Sequence, residues 1–189
     1  MILRVTAYGD TLLRKKSDKI EKGYPGIDEL IENMFETMYN SNGVGLAAPQ
    51  VGLNIRIIVI DSGEIDKNPN GLKKAFINPE ILELNGENIT FEEGCLSVPK
   101  IREEVVRKDK VTLKYQDENF REYTETFDGV TSRVIQHEYD HLEGILFIDR
   151  LSYLKKNLIK KKLNNILTGN VEVDYPIKFA GKTKKKKKS

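Results

Sequence analysis

The segment His137-Glu138-Tyr139-Asp140-His141 contains side chains with the spacing of a metal-binding helix. Residues i and i+4 of a helix lie one above the other on the same face, so His137 and His141 can bind one metal ion together. Glu138 follows the first histidine and is close enough to reach a water molecule bound to that ion. Because both histidines of the chain fall in this motif, a chance match is disfavoured and a metal-dependent hydrolase is indicated.

The same helix must also contact the protein core. The positions of Val134, Glu138, His141 and Ile145 follow i, i+4, i+7 and i+11, which places the glutamate on the apolar side. Burial of an ionised carboxylate without a partner is costly. A divalent cation beside Glu138 would compensate for that cost.

A catalytic metal site usually has three protein ligands and one open position, and no third histidine is available. The third ligand must therefore be Cys, Asp or Glu. The single cysteine, Cys95, lies in Glu93-Gly94-Cys95-Leu96-Ser97-Val98-Pro99, on a bent or loop segment after a predicted strand. One thiolate and two imidazoles suit zinc or ferrous iron.

Two other interpretations remain open at this point. A zinc metalloprotease would take its third ligand from a downstream acidic residue such as Glu172. A non-enzymatic binding protein would hold a structural metal and act through its lysine-rich tail. Structural sites have four protein ligands, however, and three good candidates are present, which favours an open catalytic position.

A second unusual segment is Gly43-Val44-Gly45-Leu46-Ala47-Ala48-Pro49-Gln50. Its small residues allow a ligand to approach the backbone closely, and the Gln50 amide can both donate and accept hydrogen bonds. The third glycine of a dinucleotide-binding loop is absent, and the segment follows a helix rather than a strand.

Hydrophobic periodicity predicts a helix at 27–40, a buried strand at 55–61 and a loop at 62–72. It further predicts strands at 75–84, 88–92, 104–108, 110–116 and 121–127, with Asn85-Gly86 as the turn between the first two of these and Asp128-Gly129 ending the last. A helix is predicted at 131–143, with Gly144 just past its end. An amphipathic helix follows, with an apolar stripe at Leu151, Leu154, Leu158, Leu163, Ile166 and Leu167. The order of elements indicates an α+β fold.

Composition and charge narrow the class of protein. A chain of 189 residues suits one domain, and one cysteine cannot form an internal disulfide. No apolar run of about 18 residues and no secretory signal are visible, so we expect a soluble, cytoplasmic protein without a membrane span. Residues 1–150 carry a net charge of −8 and residues 151–189 one of +10. The tail Lys182-Thr-Lys-Lys-Lys-Lys-Lys-Ser189 is expected to be disordered.

Together, the three segments resemble the peptide deformylase family, which removes the formyl group from the initiator methionine of nascent bacterial or organellar proteins. Gly43 to Gln50 match G-x-G-x-A-A-x-Q, Glu93 to Ser97 match E-G-C-L-S, and Gln136 to His141 match Q-H-E-x-D-H. The resemblance covers about residues 1–168, and the lysine tail lies outside it.

The resemblance implies that Cys95, His137 and His141 hold a divalent metal with water in the fourth position. Iron(II) is the metal usually described for the family, with zinc, nickel or cobalt as alternatives. The metal-bound water would attack the formyl carbon, with Glu138 as general base and then as proton donor to the leaving amine. The remaining implied roles are oxyanion stabilisation by Gln50 and the Leu96 N–H, backbone binding by Gly45, contact with the downstream end of the substrate by Arg102, and an apolar methionine pocket formed by Val44, Val130 and Val134.

The implied fold is α+β, with antiparallel sheets around the central H-E-x-x-H helix and a C-terminal amphipathic helix after it. We expect one catalytic domain at 1–168 and a C-terminal extension at 169–189 that includes the tail. The expected partner is an N-formyl-methionyl nascent peptide, and the expected state is a monomer. We further hypothesise that residues 152–189 contact ribosomal RNA, because a basic segment is attracted to polyanions.

Overall fold

A computed structural model describes residues 1–65 and 71–181. Its strands are β1 (Val5–Thr6), β2 (Gly45–Ala47), β3 (Ile57–Asp61), β4 (Lys73–Cys95), β5 (Val98–Gln116), β6 (Glu122–Asp128) and β7 (Ile177–Lys178). Its α-helices are α1 (Ile27–Asn40), α2 (Gly129–Leu142) and α3 (Tyr153–Leu167), joined in places by short 3-10 helices. Part of the predicted 62–72 loop and the predicted disordered tail at 182–189 lie outside the described residues.

The sheet has the antiparallel order β2-β3-β4-β5-β6 and is covered by a helix on each face. Ile57 and Val59 of β3 pack with α1, whereas Ile58 and Ile60 pack with α2. Burial on both faces explains why β3 is a continuous apolar run rather than an alternating one. The predicted α+β class is confirmed, and so are α1 at 27–40 and the end of β6 at Asp128.

The sequence prediction of a turn at Asn85-Gly86 is wrong. β4 continues through this point, and its residues on either side, Asn85 and Asn88, both pair with β5. Gly86 and Glu87 lie opposite Asp109 as a bulge, where Gly86 has a φ of +76° and Asp109 accepts the Glu87 N–H at 2.9 Å. An Asn-Gly pair supplies the left-handed conformation that a bulge needs as readily as the one that a tight turn needs. The strand therefore bends without reversing.

Helix α2 begins directly after β6 and is mostly buried against the sheet. Gly144 follows its end with a φ of +72°, the left-handed conformation that commonly ends a helix. The ten buried residues of this helix include five polar or charged ones in the stretch 136–141, Gln136, His137, Glu138, Asp140 and His141. Polar side chains at such depth need partners, and these partners define the site described below.

The apolar stripe predicted for the last helix is partly wrong. Ile159 and Ile166 are the buried residues of α3, whereas Leu154 and Leu158 are 69% and 72% exposed. The face that contacts the body follows i, i+4 and i+7 at Ile159, Leu163 and Ile166. The predicted stripe contains Leu163 and Ile166 but not Ile159. Leu154 and Leu158 therefore lie on the outer side of α3, close to its lysines.

After α3 the chain returns along the body, although the sequence analysis predicted no element there. β7 pairs in parallel with β1, and Phe179 is buried in the same cluster as Val98. Within the described ranges, no helix combines the length and the apolar character required to span a membrane.

Candidate metal centre and active site

The predicted metal ligands come together in space. One donor atom each from Cys95, His137 and His141 lies within 4.8 Å of the other two, and Cys95 Sγ is 3.2 Å from His141 Nε2. Cys95 is the last residue of β4, directly before the two-residue turn Leu96-Ser97 that leads into β5. Both histidines are at most 8% exposed. The set of one thiol and two imidazoles fits a divalent transition metal.

Strand and helix periods explain why these side chains meet. Residues i and i+2 of a strand share a face about 6.6 Å apart, and residues i and i+4 of a helix share one about 6 Å apart. On β4 and α2, Glu93 therefore faces His137, and Cys95 faces His141. Glu93 Oε2 lies 2.9 Å from His137 Nδ1, which leaves the Nε2 atom of that ring for a metal.

Glu93 also anchors a buried charge network. Arg107 donates to both of its carboxylate oxygens at 2.7 and 2.9 Å, and Arg133 donates to it at 3.0 Å. Arg107 donates further to Asp140 of α2 at 2.7 Å. Burial acts to raise the pKa of Glu93, but the hydrogen bonds from His137 and Arg107 hold it well below its usual value. Glu93 is thus a fixed anion that orients the His137 ring.

The contribution of this buried network to the free energy of unfolding can be compared with that of an adjacent exposed ion pair. Glu93→Gln leaves Arg107 with one carboxylate partner fewer, and removal of one member of a buried pair typically costs about 3–5 kcal/mol of unfolding free energy. The adjacent residue Glu92 pairs with Arg102 at 2.8 Å on the surface, so Glu92→Gln is expected to cost less than about 1 kcal/mol. Urea unfolding of the two variants measures both values. Equal losses would contradict the proposed role of the buried network.

Glu138 lies beside the ligand group and is confined by β2. It is 4% exposed, and its Oε2 atom has no hydrogen-bond partner among the described residues. A Cβ atom at Gly45 would lie 2.5 Å from Glu138 Oε1, so only glycine fits at this point of β2. Burial raises the pKa of Glu138 to about 7. A carboxyl group that titrates near neutral pH is suited to both accept and donate a proton.

Burial also lowers the pKa of His141 well below its usual value, and the neighbouring His137 acts in the same direction. His141 therefore stays neutral, which is the form that binds metals. Burial acts to lower the pKa of His137 as well, but its hydrogen bonds with Cys95 and Glu93 outweigh this effect. The pKa of His137 is therefore raised well above its usual value.

Gln50 lies in a 3-10 helix after β2 and is oriented by its hydrogen bonds. Its Oε1 atom accepts the Ala47 N–H at 2.8 Å. Its Nε2 atom is therefore directed at the site, where it lies 3.5 Å from Cys95 Sγ and 3.3 Å from Ser97 Oγ. An amide N–H held in this way can donate to a bound substrate.

Cys95, His137 and Glu138 line a cavity of about 550 Å³, a volume typical of sites for small ligands. Each residue that the sequence assigned to the substrate lies along it: Val44, Gly45, Gln50, Leu96, Arg102, Val130 and Val134. Val134 is buried, whereas Arg102 lies on the outer rim and its side chain is 65% exposed. Glu172 is exposed and does not belong to the ligand group, so the described structure does not support the metalloprotease alternative.

Comparison with known proteins identifies this arrangement. A family model described as polypeptide deformylase matches residues 2–157. The chain belongs to the polypeptide deformylase family. A peptide deformylase of Christiangramia forsetii is 53% identical over 189 residues, which cover 95% of this chain and 96% of that protein.

Solved deformylase structures share the fold. The Legionella pneumophila peptide deformylase superimposes with a TM-score of 0.78 at 40% identity, covering 87% of this chain and 95% of the other. An Arabidopsis thaliana peptide deformylase 1B crystallised with an inhibitor gives a TM-score of 0.81 at 33% identity, covering 89% and 92%. The predicted family, enzyme class and fold are therefore confirmed, as is a deformylase-type metal-dependent hydrolysis.

Several residues of this deformylase site were not predicted from the sequence. Arg107, Arg133 and the role of Glu93 were not predicted, because nothing local marks a charged residue as buried. Tyr175, which also lines the cavity, was missed although a signal existed. The apolar residues alternate as in a half-buried strand: Val171, Val173, Tyr175, Ile177 and Phe179.

Proposed function

We propose that this chain removes the N-formyl group from formyl-methionine at the start of nascent polypeptides, releasing formate and a free amine. The observation that carries the proposal is the convergence of Cys95, His137 and His141 beside the buried Glu138 carboxylate, next to a cavity large enough for a peptide terminus. Membership of the deformylase family supports the same reaction.

Cys95, His137 and His141 would hold the metal. The unpartnered Oε2 atom of Glu138 supports this fit, since a nearby cation compensates a buried carboxylate. A divalent metal bound there supplies Lewis-acid chemistry and makes water a usable nucleophile near neutral pH. We propose iron(II) as the native metal, with zinc, nickel or cobalt as substitutes, because a thiolate with two imidazoles suits a borderline-soft cation.

Glu138 would move the protons of the reaction. Its carboxylate accepts a proton from the attacking water and then delivers that proton to the nitrogen of the departing amine. The pKa of about 7 for Glu138 supports both roles at neutral pH. Gly45 supports them sterically, because its lack of a side chain leaves room for the carboxylate next to β2.

Two N–H donors would stabilise the negative charge that develops on the formyl oxygen. Gln50 Nε2 is one, held in place by the bond from the Ala47 N–H to Gln50 Oε1. The backbone N–H of Leu96 is the other, at the turn after Cys95. Preorganised donors of this kind typically contribute about 100- to 1000-fold in rate each.

The substrate would bind along the cavity. Val44, Val130 and Val134 offer an apolar environment for the methionine side chain. The main chain of Gly45 would pair with the substrate backbone, and Arg102 at the rim would contact the downstream end of the peptide.

The direct experiment is an anaerobic assay of a short formyl-Met peptide with the iron-loaded protein. We expect stoichiometric release of formate and of a free methionyl amine. The matched acetyl-Met peptide serves as control for recognition of the formyl group. Cleavage of an internal peptide bond without formate release would overturn the proposal.

We also propose that α3 and the segment after it contact ribosomal RNA, which would place the enzyme in the cytoplasm, where nascent chains are made. Lys160 and Lys161 are exposed on α3, beside the exposed Leu158. Replacing both lysines with alanine is expected to weaken ribosome binding at low salt. The slope of log binding constant against log salt concentration should also fall by the amount expected for about two phosphate contacts. The matched control replaces Lys15 and Lys22, exposed lysines outside α3. Equal losses in the two variants would contradict a specific role for α3.

A further inference from the structure

The turn that follows Cys95 is held by segments from both ends of the described chain. The Tyr8 N–H donates to the Ser97 carbonyl at 2.7 Å. The Tyr175 hydroxyl donates to the Leu96 carbonyl, also at 2.7 Å. Because carbonyls in a two-residue turn have no partner in the strand ladder, these two bonds fix the turn.

Tyr175 belongs to residues 171–181, which we call the strap. Its strand β7 pairs with β1, where the Val5 N–H donates to the Pro176 carbonyl at 2.8 Å and the Ala7 N–H donates to the Lys178 carbonyl at 2.9 Å. Its far end is fixed by the Gly181 N–H, which donates to the Leu167 carbonyl of α3 at 3.0 Å. The strap is thus anchored on both sides of β7, and Tyr175 has a defined position.

The strap also contributes to the wall of the cavity, which is lined by Val173, Asp174 and Tyr175 as well as by Cys95 and Gln50. The side chain of Tyr175 is partly buried, and burial raises the pKa of its phenol. The hydroxyl therefore remains protonated and acts as a hydrogen-bond donor throughout the pH range of an enzyme assay.

We propose that Tyr175 is a positioning residue, which sets the orientation of the Leu96 backbone through its bond to the Leu96 carbonyl. That carbonyl belongs to the peptide plane next to the one that carries the Leu96 N–H. Fixing the first plane restricts rotation of the second, and the same residue follows the ligand Cys95. Tyr175 thereby acts on the oxyanion donor and on the metal ligand through the Leu96 backbone.

The inference rests on the proposed deformylase function, and Tyr175→Phe tests it by removing the hydroxyl alone. A neutral hydrogen bond contributes modestly, so we expect kcat for a formyl-Met peptide to fall about 3- to 10-fold, with KM changed less than about twofold. Tyr153→Phe is the matched control, because Tyr153 is 81% exposed on α3. An unchanged kcat in Tyr175→Phe would overturn the inference. A loss explained wholly by a smaller folded fraction, measured by thermal unfolding, would overturn it too.

A second readout does not depend on turnover. In protein loaded with cobalt(II), the sulfur-to-cobalt charge-transfer band reports the geometry of Cys95, and we expect Tyr175→Phe to shift it while Tyr153→Phe does not. If the wild-type protein released no formate, the proposed function would fail. The charge-transfer band would still show whether Tyr175 affects the geometry of Cys95. A band identical in both variants and the wild type would overturn the inference.

Discussion

Glu138→Gln is expected to lower kcat by about 100- to 10,000-fold, the usual contribution of a general acid and base. The amide keeps the shape of the carboxylate in the narrow space beside Gly45 but cannot accept a proton from water. The metal ligands are unchanged, so metal content should remain that of the wild type. Steady-state kinetics and metal analysis on the same preparation measure both quantities.

Glu83→Gln is the matched control for this experiment, since Glu83 is exposed on β4, outside the cavity. It should leave kcat unchanged. If Glu138→Gln retained a kcat within about tenfold of the wild type at full metal content, Glu138 could not be the main proton carrier.

Cys95→Ser is expected to lower both metal affinity and activity. A serine hydroxyl stays protonated at neutral pH, whereas a thiol that binds a metal is deprotonated. Loss of an outer-sphere partner alone costs about 10- to 100-fold, so loss of a direct ligand should reduce activity by at least about 100-fold. Titration of the metal-free protein with cobalt(II) measures the affinity, and the sulfur-to-cobalt band should be absent in the variant.

Ser97→Ala provides the control for Cys95→Ser in metal binding. Ser97 is buried two residues away and contacts Gln50, but it does not belong to the ligand group. Its replacement should leave the sulfur-to-cobalt band in place. Persistence of that band in Cys95→Ser, or wild-type metal affinity, would show that the sulfur is not a ligand.

The parts of the fold that could be predicted are those with a clear hydrophobic period. Helix α1 has an unbroken apolar stripe between two glycine-containing boundaries, and its bounds agree with the prediction. The continuity of β4 could not be predicted, because Asn85-Gly86 has the same local signature in a turn and in a bulge. Its pairing with β5 decides between them, and pairing depends on residues distant in sequence.

The candidate ligands could be predicted because histidine and cysteine are rare in this chain. Two histidines and one cysteine leave few possible ligand sets. Arg107 and Arg133 could not be singled out in the same way, since the chain has 31 basic residues and burial follows from tertiary packing. The division of the chain at residue 168 remains a prediction, although β7 lies beyond it and pairs with β1.

The pairing of β1 with β7 has a consequence for folding. Val5 and Ile177 are separated by nearly the whole described chain, so among the strand pairs of the described residues their contact has the highest sequence separation. Closing so long a loop is entropically costly and slow relative to hairpin formation. All three candidate ligands lie between Cys95 and His141, so bringing them together closes a shorter loop than pairing β1 with β7. The Leu96 backbone is then secured only at the closing stage of folding, which makes docking of the chain ends the step that completes a competent enzyme.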